Sequence, residues 1–135
     1  MQRLHHVGFV VQNIEAAIGG FAQSINGHRV SEIFHDPIQK VKVAFLATDG
    51  QDAQIELVEP AGPHSPVQAF LEKGGGLHHL CYEVENCERA LVEMRRRRGL
   101  VVKRPCPATA FGGRRIAWAL TAEKLLLEFV EKELR

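Results

Sequence analysis

Leu4-His5-His6-Val7-Gly8-Phe9-Val10-Val11 decides the reading of this chain, because it recurs as Leu77-His78-His79-Leu80-Cys81-Tyr82-Glu83-Val84. The offset is 73 positions (79 − 6), and it continues past the strand-like run. Asn13, Glu15 and Ala17 match Asn86, Glu88 and Ala90, and Val43-Ala44-Phe45 matches Ile116-Ala117-Trp118. Near the end the offset becomes 72 (128 − 56), pairing Ile55-Glu56-Leu57-Val58-Glu59 with Leu127-Glu128-Phe129-Val130-Glu131. A unit repeated at a fixed spacing is a structural unit repeated. Each copy opens with a histidine and closes with a glutamate.

Local signals give each copy the same order. His5 to Val11 is short, β-branched and aromatic, as a strand requires. Asn13 is placed to cap a helix that carries Ile14, Ala17, Ile18 and Phe21 at helical spacing and ends at Gly27. Strands are expected over Arg29–Phe34, 41–47 and 54–59, with a turn at His35-Asp36-Pro37. A connector follows, in which Ser65 caps a short helix opening on Pro66, and Gly74-Gly75-Gly76 leads into the second copy. There Asn86 caps a helix through Ala90, Leu91 and Met94, ending at Gly99. Strands are expected over Leu100–Lys103, 115–120 and 125–131, with 105–113 as a loop. The expected organisation is one domain over 1–135: module 1 at 4–60, a connector at 61–76, and module 2 at 77–133.

Alternate residues of a strand share a face. Val7, Phe9 and Val11 therefore oppose His6, and Ile55 and Leu57 oppose Glu56. In the second copy Leu80, Tyr82 and Val84 oppose His79, and Leu127 and Phe129 oppose Glu128. The apolar faces belong under the helices. His6, Glu56, His79 and Glu128 are left on the other face, at the same place in each copy. If the copies pair about a pseudo-twofold, the four side chains converge into a mixed nitrogen and oxygen donor set suited to a divalent transition metal. His5 and His78 are one residue out of phase and read as packing residues or as supports behind the ligands.

The totals narrow the partners. The 135 residues fit one ordinary domain, and a hydrophobic fraction of 45 % supports a core. A formal charge of +1 gives no electrostatic reason to expect nucleic acid or an acidic membrane. Cys81, Cys87 and Cys106 are odd in number and form no CxxC pair, which suits a reducing compartment. No signal-like opening or spanning apolar run is present, so a cytoplasmic protein is the expectation. Arg95-Arg96-Arg97-Arg98 ends the second helix, where cations suit the dipole. Neither a GxGxxG, a P-loop nor a Ser/His/Asp signature occurs.

The pattern resembles the vicinal oxygen chelate superfamily, and most nearly its methylmalonyl-CoA epimerases. The residues that carry the resemblance are His6-Val7-Gly8-Phe9-Val10-Val11, Val41-Lys42-Val43-Ala44-Phe45-Leu46 and Ile55-Glu56-Leu57-Val58-Glu59-Pro60. Ser65-Pro66 before Phe70-Leu71-Glu72-Lys73, and Gly76-Leu77-His78-His79, add to them. The resemblance implies an α+β fold: two tandem βαβββ modules forming a cupped mixed β-sheet around one metal. It implies ligands at His6, Glu56, His79 and Glu128 for Co, Zn, Ni, Mn or Fe. The implied reaction removes the proton α to a thioester carbonyl and returns it on the other face, with Glu128 or Glu56 as the base. The implied partner is a small-molecule substrate such as an acyl-CoA, and the family admits a homodimer. Two alternatives stand beside the epimerase: a glyoxalase I-type lyase acting on a thiol hemithioacetal, and a resistance-type protein that only binds a small molecule. One region departs from the epimerase pattern. Where those enzymes carry a His-Pro-Lys turn and a glycine-rich stretch, this chain has Leu120-Thr121-Ala122-Glu123-Lys124.

Overall fold

A computed structural model describes residues 2–133. Nine strands and three α-helices, counted among the described residues, make an α+β chain. They fall into two compact units. The first unit is His6–His78; the second takes in His79 onward together with the residues of the first strand up to His5.

In the first unit, β1 (Arg3–Val10) leads into α1 (Ile14–Ile25). Asn13 caps that helix, its side chain accepting from the Ala16 N–H at 2.9 Å. The helix stops where Asn26 turns left-handed (φ 55°), and the Gly27 N–H returns to the Phe21 carbonyl. Then come β2 (His28–Arg29), β3 (Phe34–Asp36), β4 (Val41–Ala47) and β5 (Gln54–Pro60). The strand order is β2-β4-β5-β1, with β3 also on β4. β1 and β5 run parallel, and β4 is antiparallel to β5. Ile14, Ala44, Leu46 and Leu57 form the core, with Phe9, Ala17, Ile18 and Phe21 packed against it. The helical stripe and the alternating strand residues thus meet on one face, as their periodicities require. α2 (Gln68–Glu72) closes the unit.

The second unit repeats the plan. β6 (Gly76–Val84), most of which lies in it, precedes α3 (Cys87–Arg96), and Asn86 caps the helix by accepting from the Arg89 N–H at 2.9 Å. β7 (Leu100–Pro107), a short 3-10 turn at Thr109–Phe111, β8 (Arg115–Leu120) and β9 (Leu126–Glu131) follow. Their order is β6-β9-β8-β7, with β6 and β9 parallel. Ala90 and Leu91 of the helix pack with Val84, Ala117, Ala119, Leu127 and fully buried Phe129. Truncating a core phenylalanine of this kind to alanine typically costs about 3–5 kcal/mol.

Three local expectations are corrected. The strand expected over Arg29–Phe34 is broken into β2 and β3, because the Ser31 hydroxyl takes over a ladder position. It accepts from the Phe45 N–H at 2.9 Å and donates to the Glu32 carbonyl at 2.8 Å. Asp36 ends β3, its carboxylate accepting from the Ile38 and Gln39 N–H groups, both at 3.0 Å. β7 runs on through Pro105 and Pro107, which were expected in a loop. It is the last strand in its unit's order, where a missing N–H costs no ladder bond. The connector helix starts two residues late, since Pro66 and Val67 precede it and buried Ser65 reaches the Val67 N–H only at 3.5 Å. No helix among the described residues is long and apolar enough to cross a membrane.

Candidate functional site

Each unit places one histidine beside one glutamate, on the sheet face away from its helix. In the first unit His6 sits on β1 and Glu56 on the neighbouring β5, where Glu56 pairs with Gly8. His6 is fully buried and Glu56 is 5 % exposed. His6 Nε2 lies 3.4 Å from Glu56 Oε1. In the second unit His79 on β6 and Glu128 on β9 hold the same relation, with Glu128 paired to Cys81. They are 2 % and 3 % exposed, and His79 Nε2 lies 3.3 Å from Glu128 Oε1. The pleat argument is therefore met twice, since Phe9 and Leu57, and Leu127 and Phe129, lie on the helix side.

Burial makes these pairs expensive, because a carboxylate taken out of water loses more than a neutral imidazole returns. Among the described residues the buried polar side chains are His6, Asp36, Glu56, Ser65, His79 and Glu128. Asp36 and Ser65 serve turns, so the four remaining are the ones whose burial has no structural purpose of that kind. The separations fit metal ligation better than a simple ion pair. A charge-assisted N–H···O bond closes to about 2.7–2.9 Å. Two donors about 2.1 Å from one ion stand about 3.0 Å apart at a right angle and about 3.4 Å at a tetrahedral one. The 3.4 and 3.3 Å contacts lie within that range. The donor set within each unit thus suits a divalent transition ion.

Aromatic rings flank both histidines. The Phe45 ring, from β4, meets the His6 ring at 5.4 Å between centroids and 67° between planes. The Trp118 ring, from β8, meets the His79 ring at 4.7 Å and 76°. Phe45 is the cross-strand partner of Glu56, and Trp118 of Glu128. Each unit therefore carries the same diagonal row of aromatic ring, carboxylate and imidazole on three adjacent strands. The repeat Val43-Ala44-Phe45 against Ile116-Ala117-Trp118 held that signal, although the chemistry drew attention to the histidines and glutamates alone. His5 and His78, out of phase with the pairs, do pack: their rings meet Phe111 at 5.3 Å and Phe70 at 4.8 Å. Cys81 is buried among Ala108, Ile116 and Val130.

The closing glutamates have a different task from Glu56 and Glu128. Glu59 accepts from the Ile14 N–H, and Glu131 from the Cys87 N–H, each at 2.9 Å, so each anchors the start of its unit's helix. Arg115 braces Glu131, its Nε donating to Oε1 at 3.0 Å, and also donates to Glu88 at 2.6 and 2.7 Å. Lys42 holds the equivalent place in the first unit, 4.0 Å from Glu59. Arg115 first, through hydrogen bonding, holds the Glu131 carboxyl below the usual carboxylate range.

Residues 5–118 match the glyoxalase/bleomycin resistance protein/dioxygenase superfamily. The chain belongs to that superfamily. Within it, the chain is 36 % identical over 98 residues to the mitochondrial methylmalonyl-CoA epimerase of Homo sapiens, a match covering 71 % of this chain and 54 % of the human protein. It is 40 % identical over 86 residues to the ethylmalonyl-CoA/methylmalonyl-CoA epimerase of Cereibacter sphaeroides, covering 62 % of each. The crystal structure of methylmalonyl-CoA epimerase from Mycobacterium tuberculosis superposes with a TM-score of 0.84 at 27 % identity, over 97 % of this chain and 88 % of that one. The matches to the curated relatives span little more than half of the human protein's length. Among superfamily members so compared, the likeness is to epimerases of acyl-CoA thioesters.

Proposed function

We propose that the two units act as one domain and that the chain is a metal-dependent epimerase acting α to the carbonyl of a small carboxyacyl-CoA thioester such as methylmalonyl-CoA. The observation that carries this reading is the matched pair of buried histidine and glutamate contacts, at 3.4 and 3.3 Å, in a chain similar to methylmalonyl-CoA epimerases. His6, Glu56, His79 and Glu128 together would hold one divalent ion, from the group Co, Zn, Ni, Mn and Fe. When bound, the ion supplies Lewis-acid stabilisation of the negative charge that develops on the thioester carbonyl oxygen.

The chain's own residues supply the rest. His6 on β1 and His79 on β6 would offer Nε2 to that ion as neutral imidazoles. One carboxylate, Glu128 or Glu56, accepts the proton from the α-carbon as general base. The C–H electron pair passes into the thioester carbonyl, and one solvent-exchangeable proton is delivered to the opposite face of the α-carbon, so the proton count is unchanged.

The test is α-hydrogen exchange. Metal-loaded protein is incubated with methylmalonyl-CoA in deuterated water, and label at the α-carbon is followed by mass spectrometry. Uptake well above the buffer rate is expected. Glu128→Gln and Glu56→Gln run beside it, and the variant that keeps metal but loses uptake identifies the base. No uptake, together with turnover of a glutathione hemithioacetal, would replace the epimerase with a glyoxalase-type lyase. Neither activity, with tight binding of a small molecule, would leave a binding protein.

A further inference from the structure

Phe45 and Trp118 do something that the reaction above does not call for. They are the same residue of the repeat (118 − 45 gives the offset of 73), and each meets the ring of its unit's buried histidine edge-on, at 67° and 76° between planes. Near-perpendicular contact between aromatic rings is the electrostatically preferred arrangement, with the positive edge of one toward the negative face of the other. It fixes a plane, which an aliphatic neighbour of similar bulk does not. A ligating imidazole must hold its plane as well as its position, because the nitrogen lone pair lies in the ring plane. In each unit the histidine so held points Nε2 at the carboxylate that is the ring's own cross-strand partner.

We propose that Phe45 and Trp118 are paired positioning residues that set the planes of His6 and His79 for ligation. The inference rests on the four-ligand reading above, and Trp118 offers a direct view of it. It is the sole tryptophan of the chain, half-buried and 4.7 Å from His79, so its emission reports events at that imidazole.

The experiment titrates metal-free protein with Co(II). In wild type, tryptophan emission falls and saturates. Phe45→Leu keeps the reporter, and its titration midpoint moves to about tenfold higher Co(II), the lower end of what supporting residues around a metal contribute. Trp118→Leu and Trp118→Phe lack the reporter and are titrated against a chromophoric chelator. Trp118→Leu weakens binding by about tenfold, whereas Trp118→Phe stays within about twofold, because the first unit already uses phenylalanine at this place. A space-filling role predicts the opposite for the last variant, since phenylalanine leaves a larger void than tryptophan and would lose affinity along with leucine. Equal affinity in wild type and both leucine variants would overturn the proposal.

A second readout needs no metal. In metal-free protein the His79 ring protons carry a ring-current shift, visible by NMR, that Trp118→Phe retains and Trp118→Leu loses. Should wild type bind no Co(II), the four-ligand reading fails on its own. The ring-current comparison still decides whether Trp118 orients His79, and unchanged His79 shifts in Trp118→Leu would overturn the positioning role.

Discussion

Replacing Glu131 by alanine should destabilise the protein more than replacing Glu59, its counterpart in the repeat. Both side chains accept from the first N–H of a helix at 2.9 Å. Losing such a cap costs about 1 kcal/mol, and losing a carboxylate from the positive end of the helix dipole about 0.5 kcal/mol more. The difference lies in the cation. Arg115 holds Glu131 with its Nε at 3.0 Å from Oε1, and its Nη2 also donates to Oε2. Lys42, 48 % exposed, stands 4.0 Å from Glu59 and contributes little. A half-exposed but two-pronged arginine pair contributes about 1 kcal/mol. Glu131→Ala should therefore cost about 2.5 kcal/mol and Glu59→Ala about 1.5 kcal/mol, as a gap in urea midpoint at constant slope. Arg115 keeps its bonds to Glu88, so no buried charge is orphaned in the variant. Acid adds a second reading. Because the folded carboxyl is held low, its stabilisation is complete above the ordinary value of 4.5 and is lost as pH falls below it. Glu131→Gln should flatten that acid slope. A cost for Glu59→Ala equal to or above that of Glu131→Ala would refute the assignment of Arg115.

Other outcomes follow from single positions. Gly75 has φ +68° and an added Cβ would stand 2.7 Å from the Val10 carbonyl oxygen, so Gly75→Ala should lower stability by at least about 2 kcal/mol in the same urea assay. Gly19 lies within α1 with open space around it, so Gly19→Ala should raise stability by about 0.5–1 kcal/mol. The Cys87 thiol is pushed up to about 12, by burial first and by Glu131 second, and is fully buried. It should resist iodoacetamide in the native protein at pH 8 and react on unfolding, as read by peptide mass mapping.

The pairing of His6 with Glu56 and of His79 with Glu128 was legible because three signals coincide on those residues: the repeat, the pleat and the donor chemistry. The two helices were legible for the same kind of reason, since Asn13 and Asn86 cap them as their spacing from the apolar stripes requires. What escaped depends on partners distant in sequence. Nothing local in Ser31 says that its hydroxyl will receive the N–H of Phe45, fourteen residues on, and split a strand. Pro105 and Pro107 read as loop because a proline inside a sheet is normally excluded, and only the position of β7 at the end of its order admits them. Glu59 and Glu131 follow Ile55 and Leu57, and Leu127 and Phe129, at the strand period of two, which puts them on the helix face of their strands. That they accept from the first helical N–H depends on how closely strand end and helix start approach, which periodicity does not encode.

The central claim is that the two histidine–glutamate pairs hold a single ion between them. Counting divalent metal per chain by elemental analysis after dialysis tests it most directly, in wild type and in His6→Ala and His79→Ala. One ion per chain in wild type, and near-complete loss in either variant, is the predicted result. Two ions per chain, or a variant that keeps its metal, would contradict it.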